Sequence, residues 1–411
     1  MGELPATVSA SGATVRGGLI AAIFLMATSA IGPGFITQTA TFTAKLGAAF
    51  AFAILASIVI DFVVQMNIWR ITVLTGRRAS ENANLAVPGA GYLLSILVIL
   101  GGLVFNIGNI AGTGLGLNAM VGLDPKIGGA LSAAIAIGIF LSKRAGMALD
   151  RTIIWLGLLM IGLTLFVAIV SNPPVGEALR QTVLPDVIDF ASIVTIVGGT
   201  VGGYITYAGA HRLLDKGVTG ADKLGEVTRG ALVGIAVTGL MRFLLFLAVL
   251  GVTAAGLTLD LTSQTANPMA QAFQATLGYW GVRIFGIIFW AAAITSVIGA
   301  AYTSVSFMTV FRPMDDRARN IATVIFIAVS LVIYLFLGTA PAALLVFAGG
   351  FNGLILPLGL TIFAWIGFAR SDLMGGHSYS RPLLVLTFAA CALTWYMGVK
   401  SIGGIFAFLG T

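Results

Sequence analysis

The sequence predicts an all-α membrane protein of about eleven transmembrane helices, built as two inverted five-helix repeats whose first helices, spans 1 and 6, are broken. Three observations predict it. First, the chain is apolar nearly throughout: 58% of its 411 residues are hydrophobic, only 9% are charged, and the mean hydropathy is +1.03. That composition belongs to a chain solvated by lipid rather than to a globule with a large core. Second, the apolar residues fall into separate runs of roughly 20, the length that crosses a hydrocarbon layer. Third, two glycine-rich interruptions fall at matching places in the two halves.

In order, the apolar runs are Leu19–Leu46, Ala49–Val73, Gly91–Met120, Gly128–Leu141, Ile153–Val170, Ile188–Ala210, Ala231–Ala255, Val282–Val310, Ile321–Leu337, Ala342–Phe368 and Leu383–Phe406. The expected organisation is a polar tail over 1–18, a first repeat over 19–171, a second over 187–368, and an eleventh helix with the carboxyl terminus over 382–411. The basic residues test this count. Arg70, Arg77 and Arg78 follow span 2, and Lys143, Arg144 and Arg151 follow span 4. Arg212, Lys216, Lys223 and Arg229 follow span 6, Arg312, Arg317 and Arg319 follow span 8, and Arg370 and Arg381 follow span 10. The opposite side has only Lys45, Lys126, Arg180, Arg283 and Lys400. The positive-inside bias therefore predicts a multi-pass protein of the inner (plasma) membrane, with a cytoplasmic amino terminus and an extracytoplasmic carboxyl terminus. The net charge of +7 comes from these loops and implies contact with anionic lipid, not nucleic acid. The lone cysteine, Cys391, allows no intrachain disulfide. No cleavable signal, P-loop or soluble domain is read, which argues against ATP-driven transport by this chain alone.

The two interruptions carry the functional reading. In span 1, Ile31-Gly32-Pro33-Gly34-Phe35-Ile36-Thr37-Gln38-Thr39 lies mid-membrane, where proline removes a backbone donor and glycine eases unwinding. In span 6, Gly198-Gly199-Thr200-Val201-Gly202-Gly203-Tyr204 has glycine at four of the six positions 198–203. Irregular backbone at that depth is tolerated where it is buried or lines a cavity, and paired interruptions of this kind point to the midplane site of a secondary transporter. The alternative is a kink in span 1 and a packing groove in span 6.

These residues also carry a resemblance that covers most of the chain, although identity is patchy. Thr75-Gly76-Arg77-Arg78-Ala79-Ser80-Glu81 is similar to the Thr-Gly-Arg-Asp-Leu-Ala-Glu of the Nramp transporters of divalent transition metals. Gln65 falls on that family's span-2 glutamine, and Gly112-Thr113-Gly114-Leu115-Gly116-Leu117-Asn118 resembles its Gly-Thr-Ala-Ile-Ala-Leu-Asn. Leu356-Pro357 falls on its span-10 Leu-Pro. The resemblance implies a LeuT-like fold. Departures lie at the metal site. The family's Asp-Pro-Gly-Asn reads here as Gly32-Pro33-Gly34-Phe35, and its Met-Pro-His as Gly202-Gly203-Tyr204. Its span-10 glutamine aligns with Gly349, and the acidic pair linked to proton movement aligns with Asn106 and Asn109. Loss of the thioether removes the preference for soft metals. Asparagine carries no titrating proton, and Mg²⁺ keeps several waters and takes oxygen ligands. The pattern resembles a magnesium-transporting branch of the family. It implies Mg²⁺, with Mn²⁺ as a further candidate, as substrate rather than cofactor, and no proton coupling. No enzyme constellation, resident cofactor or obligatory protein partner is read.

The candidate cargo residues are Gly32, Gly34, Phe35, Thr37, Gln38, Thr39, Gly199, Gly202, Gly203, Tyr204 and Gly349. Gln38 and the carbonyls of Gly32 and Gly199 are the candidates to meet the ion, largely through its water. Thr37, Gln38 and Thr39 serve equally to hydrogen-bond freed backbone, and Tyr204 to fill space. Asn106, Asn109, Asp61 and Gln65 are the pathway candidates. Asn106 and Asn109, three apart on one helix face, either line the path or bond a neighbouring helix. Asp61 either attracts the cation or pairs with Arg242 of span 7, and pairing is the favoured reading. The competing function is a LeuT-like carrier of an amino acid or other organic solute, which the glycine breaks fit equally well.

Overall fold

The computed structural model describes residues 12–142, 144–260, 268–337 and 341–409. Among the described residues every regular element is helical. The α-helices are α1 Gly12–Ala30, α2 Pro33–Leu46, α3 Phe50–Thr75, α4 Ala79–Ala86, α5 Ala90–Val121, α6 Pro125–Leu141, α7 Ala145–Val170, α8 Val175–Val183, α9 Phe190–Thr200, α10 Ile205–Asp215, α11 Leu224–Ala254, α12 Pro268–Leu277, α13 Tyr279–Met308, α14 Asp316–Phe336, α15 Pro341–Ala369 and α16 Arg381–Leu409. Among the described residues nine helical stretches are long and apolar enough to cross a membrane, and two shorter apolar helices, Arg16–Ala30 and Pro125–Leu141, accompany them. Each of the apolar runs read from the sequence coincides with one of these helices or, at the two breaks, with a pair of them.

Local chemistry sets the ends. Pro33 and Pro125 stand in the first turns of α2 and α6, where a missing N–H costs nothing. Asp124, Asp189 and Asp315 accept from the first-turn amides of α6, α9 and α14. The Thr75–Glu81 motif is a turn between helices. Gly76 ends α3 in the left-handed region at φ 62°, and the Arg78 amide donates to Glu81 Oε2 at 2.9 Å as α4 begins. Three short helices, α4, α8 and α12, fall outside the apolar runs because hydropathy does not register so few turns. Hydrogen bonds from Arg180, then Gln181, of α8 hold the carboxyls of Glu177 and of Asp186, just past the helix, below their usual range.

Two groups of helices face each other. α1, α2, α3, α9, α10 and α11 pack together as a bundle. α5, α6, α13 and α14 form a second layer, with α15 and α16 paired beside it. The core sits on α13, of whose spanning window 83% is buried, against 28% for α14 at the lipid-facing edge. α5 and α13 approach through glycine: a Cβ at Gly116 would lie 2.7 Å from Trp290, and one at Gly286 2.6 Å from the Met120 amide.

Candidate functional site

Both broken helices change course in the protein interior. α1 stops at Ala30, and α2 restarts at Pro33 after an extended Gly32 (φ −81°, ψ 177°). The interruption is therefore two residues, Ile31 and Gly32. Gly34, Phe35, Thr37, Gln38 and Thr39 belong to α2, because proline at the first helical position starts a helix rather than unwinding the one after it. The first α-helical bond of α2 runs from the Ile36 amide to Gly32 O, which leaves the Gly34 and Phe35 amides without an intrahelical acceptor. In the second break, α9 ends at Thr200 and α10 begins at Ile205. The Val201 and Gly202 amides both turn back to Val197 O, so the carbonyls of Gly198, Gly199 and Thr200 accept no backbone hydrogen bond. Gly203 sits at φ +62°, where a side chain is strained. Gly198 and Gly199 are thus the last turn of α9, and Gly202, Gly203 and Tyr204 form the turn itself.

Two clusters form around these breaks. In the first, Gln38 of α2 lies over Gly199 of α9 and Gly349 of α15. A Cβ at Gly199 would stand 3.0 Å from both Nε2 and Oε1, and one at Gly349 3.2 Å from Nε2. Gln38 is 2% exposed, and neither amide atom has a hydrogen-bond partner in the protein. A buried amide atom left without a partner costs about 1–3 kcal/mol. In the second cluster, Gly32 faces Ser296 of α13 and Asn109 of α5, whose Oγ and Oδ1 would lie 2.9 and 3.7 Å from a Cβ there. The Tyr204 phenol lies beside the same Asn109 and Ser296. Ser296 Oγ donates to Thr28 O at 3.1 Å, near the open end of α1. Phe35 and Tyr204 are each 1% exposed.

The remaining candidates divide. Thr37 Oγ1 donates to Pro33 O at 3.0 Å, whereas Thr39 Oγ1 is buried without a partner. Asn109 reaches the first break, but Asn106 turns its Nδ2 to Ser330 Oγ of α14 at 3.1 Å. The two asparagines share a face of α5 and diverge because two different helices lie against it. Asp61 and Arg242 form an ion pair at 3.0 Å, with side chains 2% and 0% exposed, and Arg242 also donates to Ser57 at 3.0 Å. Gln65 stands beside Asp61 on α3. Among the described residues no three His, Cys, Asp or Glu side chains gather as a metal site. Two residues that the sequence reading passed over, Ser296 and Asn352, belong to the interior polar set. Ser296 is one of several small polar residues on α13, among them Thr295 and Thr303, and its type alone does not set it apart. Asn352 is a single carboxamide in an apolar run, a signal that stands out only when it is placed beside a break.

Paired discontinuous helices around a buried neutral polar site, inside a bundle packed on a second layer, define a helical membrane carrier with a LeuT-like fold. Comparison with known proteins agrees. Residues 23–403 match the Nramp family, described as natural resistance-associated macrophage protein-like, and the chain belongs to that family. It is 49% identical over 384 residues to the uncharacterized membrane protein YcsG of Bacillus subtilis, covering 93% of each chain. It is 47% identical over 396 residues to an uncharacterized membrane protein of Haemophilus influenzae, covering 96% of this chain and 98% of that one. Its fold is similar to that of a manganese transporter of Eremococcus coleocola (TM-score 0.77, 14% identity, 99% of this chain and 95% of that one). It is also similar to MhsT in complex with L-phenylalanine (TM-score 0.62, 16% identity, 93% and 98%).

Proposed function

We propose that this chain is a secondary carrier for Mg²⁺, with Mn²⁺ as a second cargo, which takes the ion with most of its water and does not exchange it for protons. One observation carries the reading. The groups at the breaks are neutral oxygens and amides, namely Gln38, Asn109, Ser296, Tyr204 and the bare carbonyls of Gly198 and Gly199, with no thiolate, thioether or imidazole among them. Neutral oxygen acceptors suit water held by a hard ion better than they suit a stripped transition metal. Membership of the Nramp family and the likeness to a manganese transporter support a divalent cation as cargo.

In this reading residues 19–171 and 187–368 are the two inverted repeats, the basic loops face the cytoplasm, and the membrane is the inner one. The inside-negative potential drives uptake, at about 2.3 kcal/mol per charge per 100 mV. Asn109 carries no titratable proton, and Asp61 is engaged by Arg242.

A second reading rests on a different observation. No carboxylate stands at the two clusters to balance a dication, while the helix start at Gly34 and Phe35 presents bare amides with the positive end of a helix dipole. An organic solute bearing a carboxylate fits that pole. Proteoliposomes loaded with a Mg²⁺-sensitive dye and, in parallel, a pH dye separate the readings. Mg²⁺ entry with a steady internal pH is the expected result. Acidification in step with Mg²⁺ would retain the cargo and overturn the uncoupled mechanism. Folded protein that carries neither Mg²⁺ nor Mn²⁺ would move the assignment to the organic solute.

A further inference from the structure

Asn352 is a buried carboxamide that belongs to no motif read from the sequence. It stands three residues after Gly349 on α15, hence on the same face, which meets α9. It is fully buried, at 0% exposure. Its Nδ2 is anchored at both ends, donating to Ala348 O at 2.9 Å and to Gly101 O of α5 at 3.3 Å. Anchoring Nδ2 fixes the direction of Oδ1, which has no hydrogen-bond partner in the protein.

That oxygen is aimed at the second break. A Cβ at Gly203 would lie 1.6 Å from Oδ1, and one at Gly101 would lie 2.5 Å from it. Glycine at 203 is thus required twice, by its positive φ and by the oxygen set against it. Gln38 approaches the same α9–α10 segment through Gly199. Two buried carboxamides, one from α2 and one from α15, therefore flank the glycine turn, each with unpaired polar atoms. A side chain needed only as a wedge between α5 and the turn would gain by being apolar, since a buried unpaired oxygen destabilises the fold.

We propose that Asn352 is a specificity-determining residue of the midplane site, presenting Oδ1 to the cargo from α15 as a neutral oxygen, with Gln38 approaching the same turn from α2. The inference rests on the breaks being the cargo site, as proposed above, and takes the hydrated divalent cation as the ligand whose water Oδ1 accepts from. It predicts that Asn352 borders the aqueous path whenever the carrier opens.

The chain's single cysteine makes the test direct. Cys391→Ser supplies a thiol-free background, into which Asn352→Cys and, separately, Gln38→Cys are introduced. Each protein is reconstituted and treated with a membrane-impermeant methanethiosulfonate, with and without saturating Mg²⁺. The expected result is labelling at both positions, slowed by Mg²⁺. Labelling at both without Mg²⁺ protection would keep Asn352 on the path and overturn Mg²⁺ as cargo. Labelling at position 38 but not at 352, in monodisperse protein, would overturn the inference. Labelling at neither would overturn the inference and the midplane site together. Should the cysteine variant not fold, flux kinetics replace it. Asn352→Ala should raise KM about fivefold with little change in maximal rate, the loss of one neutral hydrogen bond. A fall in maximal rate with KM unchanged would mark a structural wedge and overturn the inference.

Discussion

The carboxylates at the basic end of the molecule and the carboxamides beside the two breaks differ in how they are partnered. At the basic end, carboxylates are saturated. Asp215 accepts from Arg78 at 2.5 Å, from Arg319 at 2.8 Å and from the Tyr302 hydroxyl at 2.5 Å. Asp150 pairs with Arg212 at 2.6 Å and with Lys216 at 2.5 Å. His211 Nε2 accepts from the Ala79 amide at 3.1 Å, so its proton is on Nδ1, against Ser306 Oγ at 2.5 Å. This network ties α10 to α4, α7, α13 and α14 around a cavity of about 400 Å³ lined by Arg212, Asp215, Tyr302 and Arg319. At the midplane, Gln38, Thr39 and Asn352 keep polar atoms with no partner in the protein. The saturated carboxylates hold helices in place, whereas the unpaired groups beside the breaks are kept at a cost. In the proposed reading the breaks receive the cargo and the carboxylate network holds the helices together.

Three experiments break or sharpen it. The largest effect belongs to the ion pair inside the bundle. Arg242→Ala leaves Asp61 buried and alone, which should cost about 3–5 kcal/mol, and Asp61→Asn in the same chain should recover much of it. Thermal unfolding in detergent with and without the second change measures this, and an Arg242→Ala protein as stable and active as the parent would refute a structural pair. Next, Asp215→Asn weakens charge-assisted bonds from two arginines, which should cost about 2 kcal/mol. Flux should change in maximal rate rather than KM, and a change confined to KM would place Asp215 with the cargo instead. The smallest energy and the sharpest contrast belong to Gln38→Leu. Transport should fall at least tenfold, about 1.4 kcal/mol, while the melting temperature holds or rises, because two unpaired polar atoms are removed. A fall in both would make Gln38 a structural residue like those at the basic end.

The span count, the two breaks and the loops were legible because each rests on local chemistry. A hydrocarbon layer demands a continuous apolar run, a proline flanked by glycines weakens local helical bonding, and clusters of basic residues mark loops. Gln38 was legible as well, since it follows a break in its own span. Asn106 and Asn109 mark where that reasoning stops. They share a helix face by spacing alone, yet Ser330 of α14 takes one and the α1–α2 break takes the other, and only the packing of the second layer decides which. The same holds for Asn352. Its place is set by Gly101 and Gly203, residues far from it in sequence that leave out a Cβ so that one oxygen can stand between them. The sequence by itself thus determined what crosses the membrane and where the crossing is interrupted, because those depend on each segment's own hydrophobicity and hydrogen bonding. Only the tertiary structure decided which polar atoms find partners, because a hydrogen bond inside the membrane is made or left open by whatever helix lies against it.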